Sequence, residues 1–395
     1  MKNTISFIIA SIFILSCNQN KQTPNEIKVE EKGKVHTETS HSETSRILNT
    51  KSDSSYNNLA QLIAGYPINF YPSNWNSEFI HSFNQNVNQK MAGIEYNRLN
   101  KIREWNRENM NNNQANDSSF VFYPFSGGDF IHVSWLYPNA NEYFMIARED
   151  VGDIPNLFSK DSAFTNQYLR DIEFVLRDIY NKSYFITKNM SADTKHNTKV
   201  NGMLPLILWG AARTGHDITQ VKFGNIDEQG NFVSTAHHTK SNVVQITLWN
   251  RKLNKQQKVT YFCCDLANNQ LIAHPGNLIF LEHSISNNSN TFLKSASYLM
   301  HYASFTSIKD FTLKKSNYLV QDDTGIPYKN FNDANWKVTL FGIYEKPVKD
   351  FIDDLYQEDL DSAYHVKGNA RDLNFSLGYH WSSKKQNQLV AKRIN

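Results

Sequence analysis

Cysteine is nearly absent, with three in 395 residues. Two of the three, Cys263 and Cys264, are adjacent, so there is no spaced disulfide framework and no thiolate zinc cage. On a strand their side chains would point to opposite faces, and they read as two small apolar thiols beside a core. Long apolar runs are missing too. Beyond Ile5–Leu15, about eleven residues, nothing approaches the roughly twenty that a membrane-crossing helix needs. Charge of one sign is also scarce. The 41 Lys and Arg nearly balance the 38 Asp and Glu, and no basic block is long enough to follow a phosphate backbone, which argues against nucleic-acid binding. What the chain has is aromatic residues. With 25 Phe, 19 Tyr and 7 Trp, it is expected to form a packed globule rather than a disordered chain.

The N-terminus is informative. Lys2 gives a basic start, Ile5–Leu15 is apolar, and Ile14-Leu15-Ser16-Cys17 closes the segment. This resembles a bacterial lipoprotein signal peptide, which implies removal of residues 1–16 and acylation of Cys17 as the first mature residue. Several acyl chains, each methylene contributing about 0.8 kcal/mol on burial, would hold the protein firmly on a membrane. Asn18 gives no obvious inner-membrane retention signal and favours the outer membrane of the cell envelope. From residue 17 to about 55 the chain is Asn, Gln, Lys, Glu, Thr and Ser, too polar to repay ordering, and reads as a tether. Residues 56–395 are expected to form one large domain.

Within it, Asn58–Gly65 predicts a short helix, and Ser77 is expected to cap a longer one carrying Ile80, Phe83, Val87, Met91, Ile94, Ile102 and Trp105. Asn106–Ser119 reads as a polar loop. A cassette follows: a strand over Phe120–Phe125, a turn over Ser126-Gly127-Gly128-Asp129, a helix over Phe130–Leu136 and a strand over Glu142–Ala147. Asp161–Tyr180 is expected as one amphipathic helix and Met203–Ala212 as another, with Gly215 at its end. Thr219–Ile226 and Asn231–Thr235 flank the turn Asp227-Glu228-Gln229-Gly230 as a hairpin, and Val243–Trp249 and Lys258–Cys263 add strands. Leu278–Leu281 and Tyr318–Gln321 read as strands, Thr291–Tyr302 and Lys346–Tyr356 as helices, and Leu373–Trp381 and Gln388–Arg393 as closing strands. The pattern predicts an α+β fold with a central, largely antiparallel or mixed sheet and flanking helices.

Tyr-Pro-Phe-Ser-Gly-Gly-Asp-Phe at 123–130, Ala-Arg-Thr-Gly-His at 212–216 and Thr-Phe-Leu-Lys-Ser-Ala-Ser-Tyr-Leu-Met-His at 291–301 resemble segments of a family of uncharacterised bacterial proteins that includes envelope lipoproteins. Gln-Asp-Asp-Thr-Gly-Ile-Pro at 321–327 and Asn-Gln-Leu-Val-Ala at 387–391 do so as well. The resemblance covers most of the chain after residue 58 and implies one folded unit. The family pattern has Pro where this chain has Gly128. It implies no activity.

Candidate site residues come from local chemistry. Ser126, Gly127 and Gly128 after a strand allow a sharp turn and close approach of a ligand to backbone amides. Asp129 would cap the following helix or act as a catalytic carboxylate. Glu149 lies beyond the next strand, where a dinucleotide or methyl-donor fold places a ribose-binding carboxylate, but the full glycine fingerprint is missing. The turn-and-cap reading therefore leads, followed by another polar ligand site, and no cofactor is expected. Asp322 and Asp323 follow a strand. Adjacent residues on extended chain face opposite ways, so one of them is expected to reach a pocket, as ligand contact (Asp322) or acid–base group (Asp323), and bracing of the turn is the plain alternative. Lys294, Ser297 and His301 would share one exposed face of a helix. His132, His216, His237 and Asp323 could converge on a metal, as could the Asp322-Asp323 carboxylates, but no His-Glu-x-x-His pattern accompanies them, so no metal is expected.

The reading is an envelope lipoprotein of unassigned role, binding a polar ligand or glycan that the aromatics would stack against. A carboxylate-dependent hydrolase using Asp129, Glu149 or Asp323 on envelope material is second, and a structural assembly component third. The enzyme needs two of those carboxylates on one cleft wall. The expected partners are membrane lipid through Cys17 and that ligand, with no nucleic acid.

Overall fold

In the computed structural model, the described residues are 54–110, 119–184, 192–236, 240–349, 351, 355–381 and 386–394. The signal segment, Cys17, nearly all of the tether, His237 and His238 lie outside them.

Two strands buried on both sides start the fold. β1 (Phe120–Pro124) and β2 (Glu142–Ala147) are apolar at almost every position, and they pair in parallel from Phe120↔Glu142 to Pro124↔Ile146. Val121, Tyr123, Tyr143 and Met145 enter one core and Phe122, Phe144 and Ile146 the other, the two-residue period of a strand covered on both faces. The cassette is the crossover the sequence suggests, with helix Phe130–Leu136 between the strands.

The full sheet adds β3 (His216–Ile226), β4 (Phe232–Ser234), β5 (Val243–Asn250), β6 (Lys255–Cys263), β7 (Ser289–Leu293), β8 (Ser316–Gln321), β9 (Trp336–Gly342), β10 (Ala370–Arg371) and β11 (Asn387–Arg393). Their spatial order is β10-β9-β11-β8-β7-β1-β2-β6-β5-β3-β4. β1, β2, β6, β7 and β8 run in parallel, and β9 joins them through β11, which is antiparallel to both β8 and β9. Numbered along the chain, these six strands are arranged 3-2-1-4-5-6, the doubly wound order, and β10 follows β9 in parallel as a seventh at the edge. The β3–β4 hairpin and β5 extend the β6 side as an antiparallel meander, and β11 is a reversed strand inserted between the fifth and sixth parallel strands. The sheet is therefore mixed, within an α+β fold with helices on both faces.

One face is covered by α1 (Ser54–Ile63), α2 (Ser77–Ile94), α3 (Asn100–Asn109), α4 (Phe130–Leu136), α5 (Ser162–Val175), α6 (Arg177–Lys182) and α7 (Leu204–Arg213). The other is covered by α8 (Asn268–Ala273), α9 (Pro275–Ser284), α10 (Thr306–Lys315) and α11 (Glu358–His365). The chain thus leaves β1 toward β2 over the first face, through α4, and leaves β7 toward β8 over the second, through α10. β1 and β7 are neighbours whose connections depart in opposite directions. The space above their carboxyl ends is the topological switch point, where ligands of doubly wound sheets bind.

Several expectations are corrected. Leu278–Leu281 lies inside helix α9, begun by Pro275 at its first position. Thr291–Tyr302 is not a helix. Thr291, Phe292 and Leu293 complete β7, and Ser295, Ser297 and Tyr298 then take left-handed φ values of 55°, 56° and 55°, which a right-handed helix excludes. The described part of Lys346–Tyr356 holds no α-helix, only Leu355 in a 3-10 turn, and the α-helix begins at Glu358. Leu373–Trp381 contributes a short 3-10 turn at Gly378–His380 rather than a strand. Asp161–Tyr180 is broken at Leu176 into α5 and α6. Asn76, not Ser77, caps α2, its side chain accepting from Phe79 N at 3.0 Å. Ile102 and Trp105 lie in α3, apart from α2, and α3 takes in Asn106–Asn109 of the expected loop, of which residues 111–118 lie outside the described residues.

Candidate functional site

A cavity of about 270 Å³ lies over the carboxyl ends of β1, β2, β6 and β7, at the switch point. Phe125, Ser126, Gly127 and Asp129 line it from β1, Arg148 and Glu149 from β2, Asp265 and Leu266 from β6, and Lys294, Ser295 and Ser297 from β7. Leu299 and Phe305 add an apolar side. The walls are conformationally strained. Phe125 (φ 61°), Ser295, Ser297 and Tyr298 are four of the seven described non-glycine residues with positive φ. Such conformations each cost about 1 kcal/mol or more and cluster where a site requires them.

The turn after β1 is fixed from beneath. Ser126 N donates to Ile146 O at 2.8 Å, tying it to β2, and Gly127 supplies a φ of 53°. A Cβ on Gly128 would lie 2.8 Å from the Leu206 Cβ, so Gly128 is there for the packing of α7. Asp129 stands before α4 but makes no capping bond. Its carboxylate is the centre of a buried nest. Oδ1 takes His132 Nδ1 at 2.6 Å, while Oδ2 accepts from Tyr123 Oη at 3.1 Å and pairs with Lys294 Nζ. Lys294 Nζ also donates to Ser183 O at 2.7 Å. Lys294 is only 4% exposed, a correction to the solvated helix face expected for it. Burial opposes the Asp129 charge, but His132 and Lys294 outweigh it and bring the carboxyl down to about 2. Burial and the nearby Lys294 and Arg98 cations push His132 down to about 4 against the pull of Asp129.

His132 is therefore neutral at pH 7, with Nδ1 donating to Asp129 and Nε2 left buried with no partner among the described residues. Its folded value lies below 6.5, so the unfolded chain binds the proton first, and this histidine's contribution to stability falls as pH drops from about 6.5 to about 4. His132→Asn, whose amide can donate to Asp129 in place of Nδ1, is expected to make unfolding free energy flatter across that window in denaturant titrations. A wild-type imidazole whose ¹⁵N shifts titrate near pH 6.5 would contradict the assignment.

Glu149 is different. It is 4% exposed and lines the cavity, and its carboxyl is pushed up by burial. Its own backbone N–H is the hydrogen-bond partner that bears on its charge, and among the described residues no cation lies within ion-pair distance. The other charges lining the cavity are paired, Lys294 with Asp129 and Arg148 with Asp265 at 3.3 Å. Glu149 thus faces the space without an ion pair among the described residues, its charge favoured beyond that backbone bond only by the more distant Arg148 and Lys195.

Asp322 and Asp323 do not line this cavity. They follow β8, one strand further along the same edge. Asp322 Oδ2 accepts from Ser295 N at 2.8 Å and Oδ1 from Thr324 N at 3.0 Å, so it braces the strained segment after β7. Burial and the adjacent Asp323 charge raise Asp322 to about 6. Asp323 accepts from Tyr298 Oη, from His380 Nε2 at 3.0 Å and from Asn387 Nδ2 at 2.9 Å. Of the expected site residues, the fold brings Ser126, Gly127, Asp129 and Glu149 together. It leaves Gly128 and His132 behind the wall and sets Asp322 and Asp323 in an adjoining brace. Arg98, Tyr123, Ser183 and Asp265 were not legible, because their approach depends on the order of distant strands.

His216 is buried, with Nε2 at 2.7 Å from Gln257 Oε1 and Nδ1 at 2.8 Å from Thr214 Oγ1. His237 lies outside the described residues. Among the described residues no group of three or more His, Cys, Asp or Glu is placed to hold a metal ion. Cys263 and Cys264 form no disulfide and are buried in opposite cores, and Cys264 borders the cavity. No described helix is long and apolar enough to cross a membrane. The chain matches no protein-family model, and no curated protein is significantly similar to it.

Proposed function

We propose that this is a lipid-anchored envelope protein, akin to the uncharacterised lipoproteins it resembles, whose switch-point cavity binds a small nucleoside-bearing ligand of the methyl-donor type. The observation that carries the ligand reading is Glu149, a buried, unpaired carboxylate beyond the second parallel strand. In the doubly wound order that position receives ribose hydroxyls. A vicinal diol donates two hydrogen bonds, which a carboxylate without an ion pair among the described residues can accept. The reading departs from the expectation, drawn from residues alone, that no cofactor binds.

Charge and size narrow the class. A dinucleotide needs a glycine-rich turn and a helix N-terminus for its pyrophosphate. Here the Asp129 carboxylate sits under that turn, and both cations lining the cavity are taken up by carboxylates. A cavity of about 270 Å³ suits one nucleoside and favours a neutral or cationic ligand. Glu149 would hold the sugar, and Phe125, Leu266, Leu299 and Phe305 offer apolar surface to a base. When bound, a methyl donor would supply a transferable methyl.

Calorimetric titration of the mature chain with S-adenosylhomocysteine, S-adenosylmethionine, adenosine and NAD tests this. Binding of the first three, weakened at least about tenfold by Glu149→Gln through loss of charge-assisted bonds, is expected, with NAD excluded. No binding by any adenosyl compound up to about 1 mM, a free energy near −4 kcal/mol, would refute it. The anchor is tested separately by mass analysis, which should find acylated Cys17 at the mature N-terminus. The two parts rest on separate observations and fail separately.

A hydrolase is the second reading, favoured by one observation. Asp129 and Glu149 line one cavity with values displaced in opposite directions, the arrangement of a paired base and acid. Release of soluble fragments from peptidoglycan, abolished by Glu149→Gln, would favour it over the first.

A further inference from the structure

A second, larger cavity of about 950 Å³ opens beyond the strained segment after β7. Ser297 and Leu299 belong to the Glu149 cavity and His301 and Tyr302 to this one, so the segment is a partition between two spaces. Lys329 and the first turn of α11, with Glu358 and Asp359, complete the second rim.

Its distinguishing feature is Tyr356, which is 43% exposed yet backed by a second ring. The ring stacks on buried Tyr344 at 6.2 Å and 17°. Tyr344 is fixed in turn, its Oη accepting from Gln357 N at 3.0 Å. Gln357 is anchored at both ends, accepting from Tyr328 N at 2.8 Å and donating to Asp323 O at 3.0 Å. A ring backed by a fixed aromatic neighbour keeps its outer face for a ligand and loses little entropy on binding. Tyr302, 46% exposed, borders the same space.

We propose that this cavity binds a short oligosaccharide, with Tyr356 as the stacking platform. A pyranose has one flat face of C–H groups for an aromatic ring and an equator of hydroxyls for mixed donors and acceptors. Glu358 and Asp359 are acceptors, Ser362 is both donor and acceptor, and Lys329 donates, so the rim offers both kinds without a net cationic surface. The two carboxylates disfavour an acidic peptide and are compatible with neutral or amino sugars. The assignment does not rest on the Glu149 cavity, and either can fail alone.

The test titrates the mature chain with chitotetraose, cellotetraose and soluble muropeptide, followed by calorimetry and tyrosine fluorescence. At least one is expected to bind, with Tyr356→Ala weakening it about tenfold or more, Tyr356→Trp retaining it, and Glu149→Gln leaving it unchanged. Tyr356 is at the surface, so its variants should unfold within a few degrees of wild type. Absence of binding by all three up to about 10 mM, or equal binding by wild type and Tyr356→Ala, overturns the proposal. So does binding of a basic tetrapeptide with none of the saccharides, which would assign the cavity to peptide.

Discussion

Replacing Lys294 by methionine should lower unfolding stability by about 3–5 kcal/mol, the cost of leaving a buried charge without its partner. Methionine keeps the stem's bulk and removes the ammonium, so Asp129 retains only His132 and Tyr123 while Ser183 O loses its donor. The pH dependence shifts with it. In the wild type Asp129 is held near 2, so its contribution is complete above its ordinary 3.8 and is lost as pH falls toward 2. Without Lys294 the carboxyl rises, and the loss on acidification begins at higher pH. The double variant Asp129→Asn/Lys294→Met should recover a large part of the loss, because no uncompensated charge remains, giving a coupling of about 1–3 kcal/mol. Denaturant unfolding of the four proteins measures this. A single-variant loss below about 1 kcal/mol would mean the pair is solvated and does not hold the β1 turn.

Asp323→Ala is expected to cost about 3–4 kcal/mol, with several buried donors left unsatisfied at about 1–3 kcal/mol each. The side chain joins the turn after β7 through Tyr298, the 3-10 turn through His380 and the start of β11 through Asn387. Asp323→Asn keeps one acceptor and should cost about half as much. Because the residue does not border the Glu149 cavity, the Asn variant should bind S-adenosylhomocysteine as wild type does. Unchanged stability with lost binding would instead place Asp323 in the ligand machinery.

The Phe120–Ala147 cassette was legible almost to the residue because three independent signals agree there. A two-sided apolar strand, a glycine turn and a second apolar run fit only a short crossover. Thr291–Tyr302 was not legible for a physical reason. Phe292, Leu293, Ala296 and Leu299 carry helix-compatible spacing, and nothing local announces that Ser295, Ser297 and Tyr298 are held left-handed. The holding comes from Asp322 and Thr324, which accept from Ser295 N and Ala296 N, both at 2.8 Å. Lys294 illustrates the same limit. On a helix it would be solvated, but at the end of β7 it points into the first core, toward Asp129. Glu149 was legible as a position relative to a strand, whereas its lack of an ion pair required the whole edge of the sheet. The Trp336–Gly342 strand went unread because its period is blurred by half-buried positions on a partly open face.

The outermost strands of the sheet are its shortest, two residues in β10 and three in β4. An eleven-stranded sheet with long, flat borders would offer a template for another copy's backbone. Two or three residues give too few free amides to nucleate that growth. The width of the sheet is thus capped at both margins, and lengthening β4 by a few β-branched residues should turn a dispersed protein into one that self-associates.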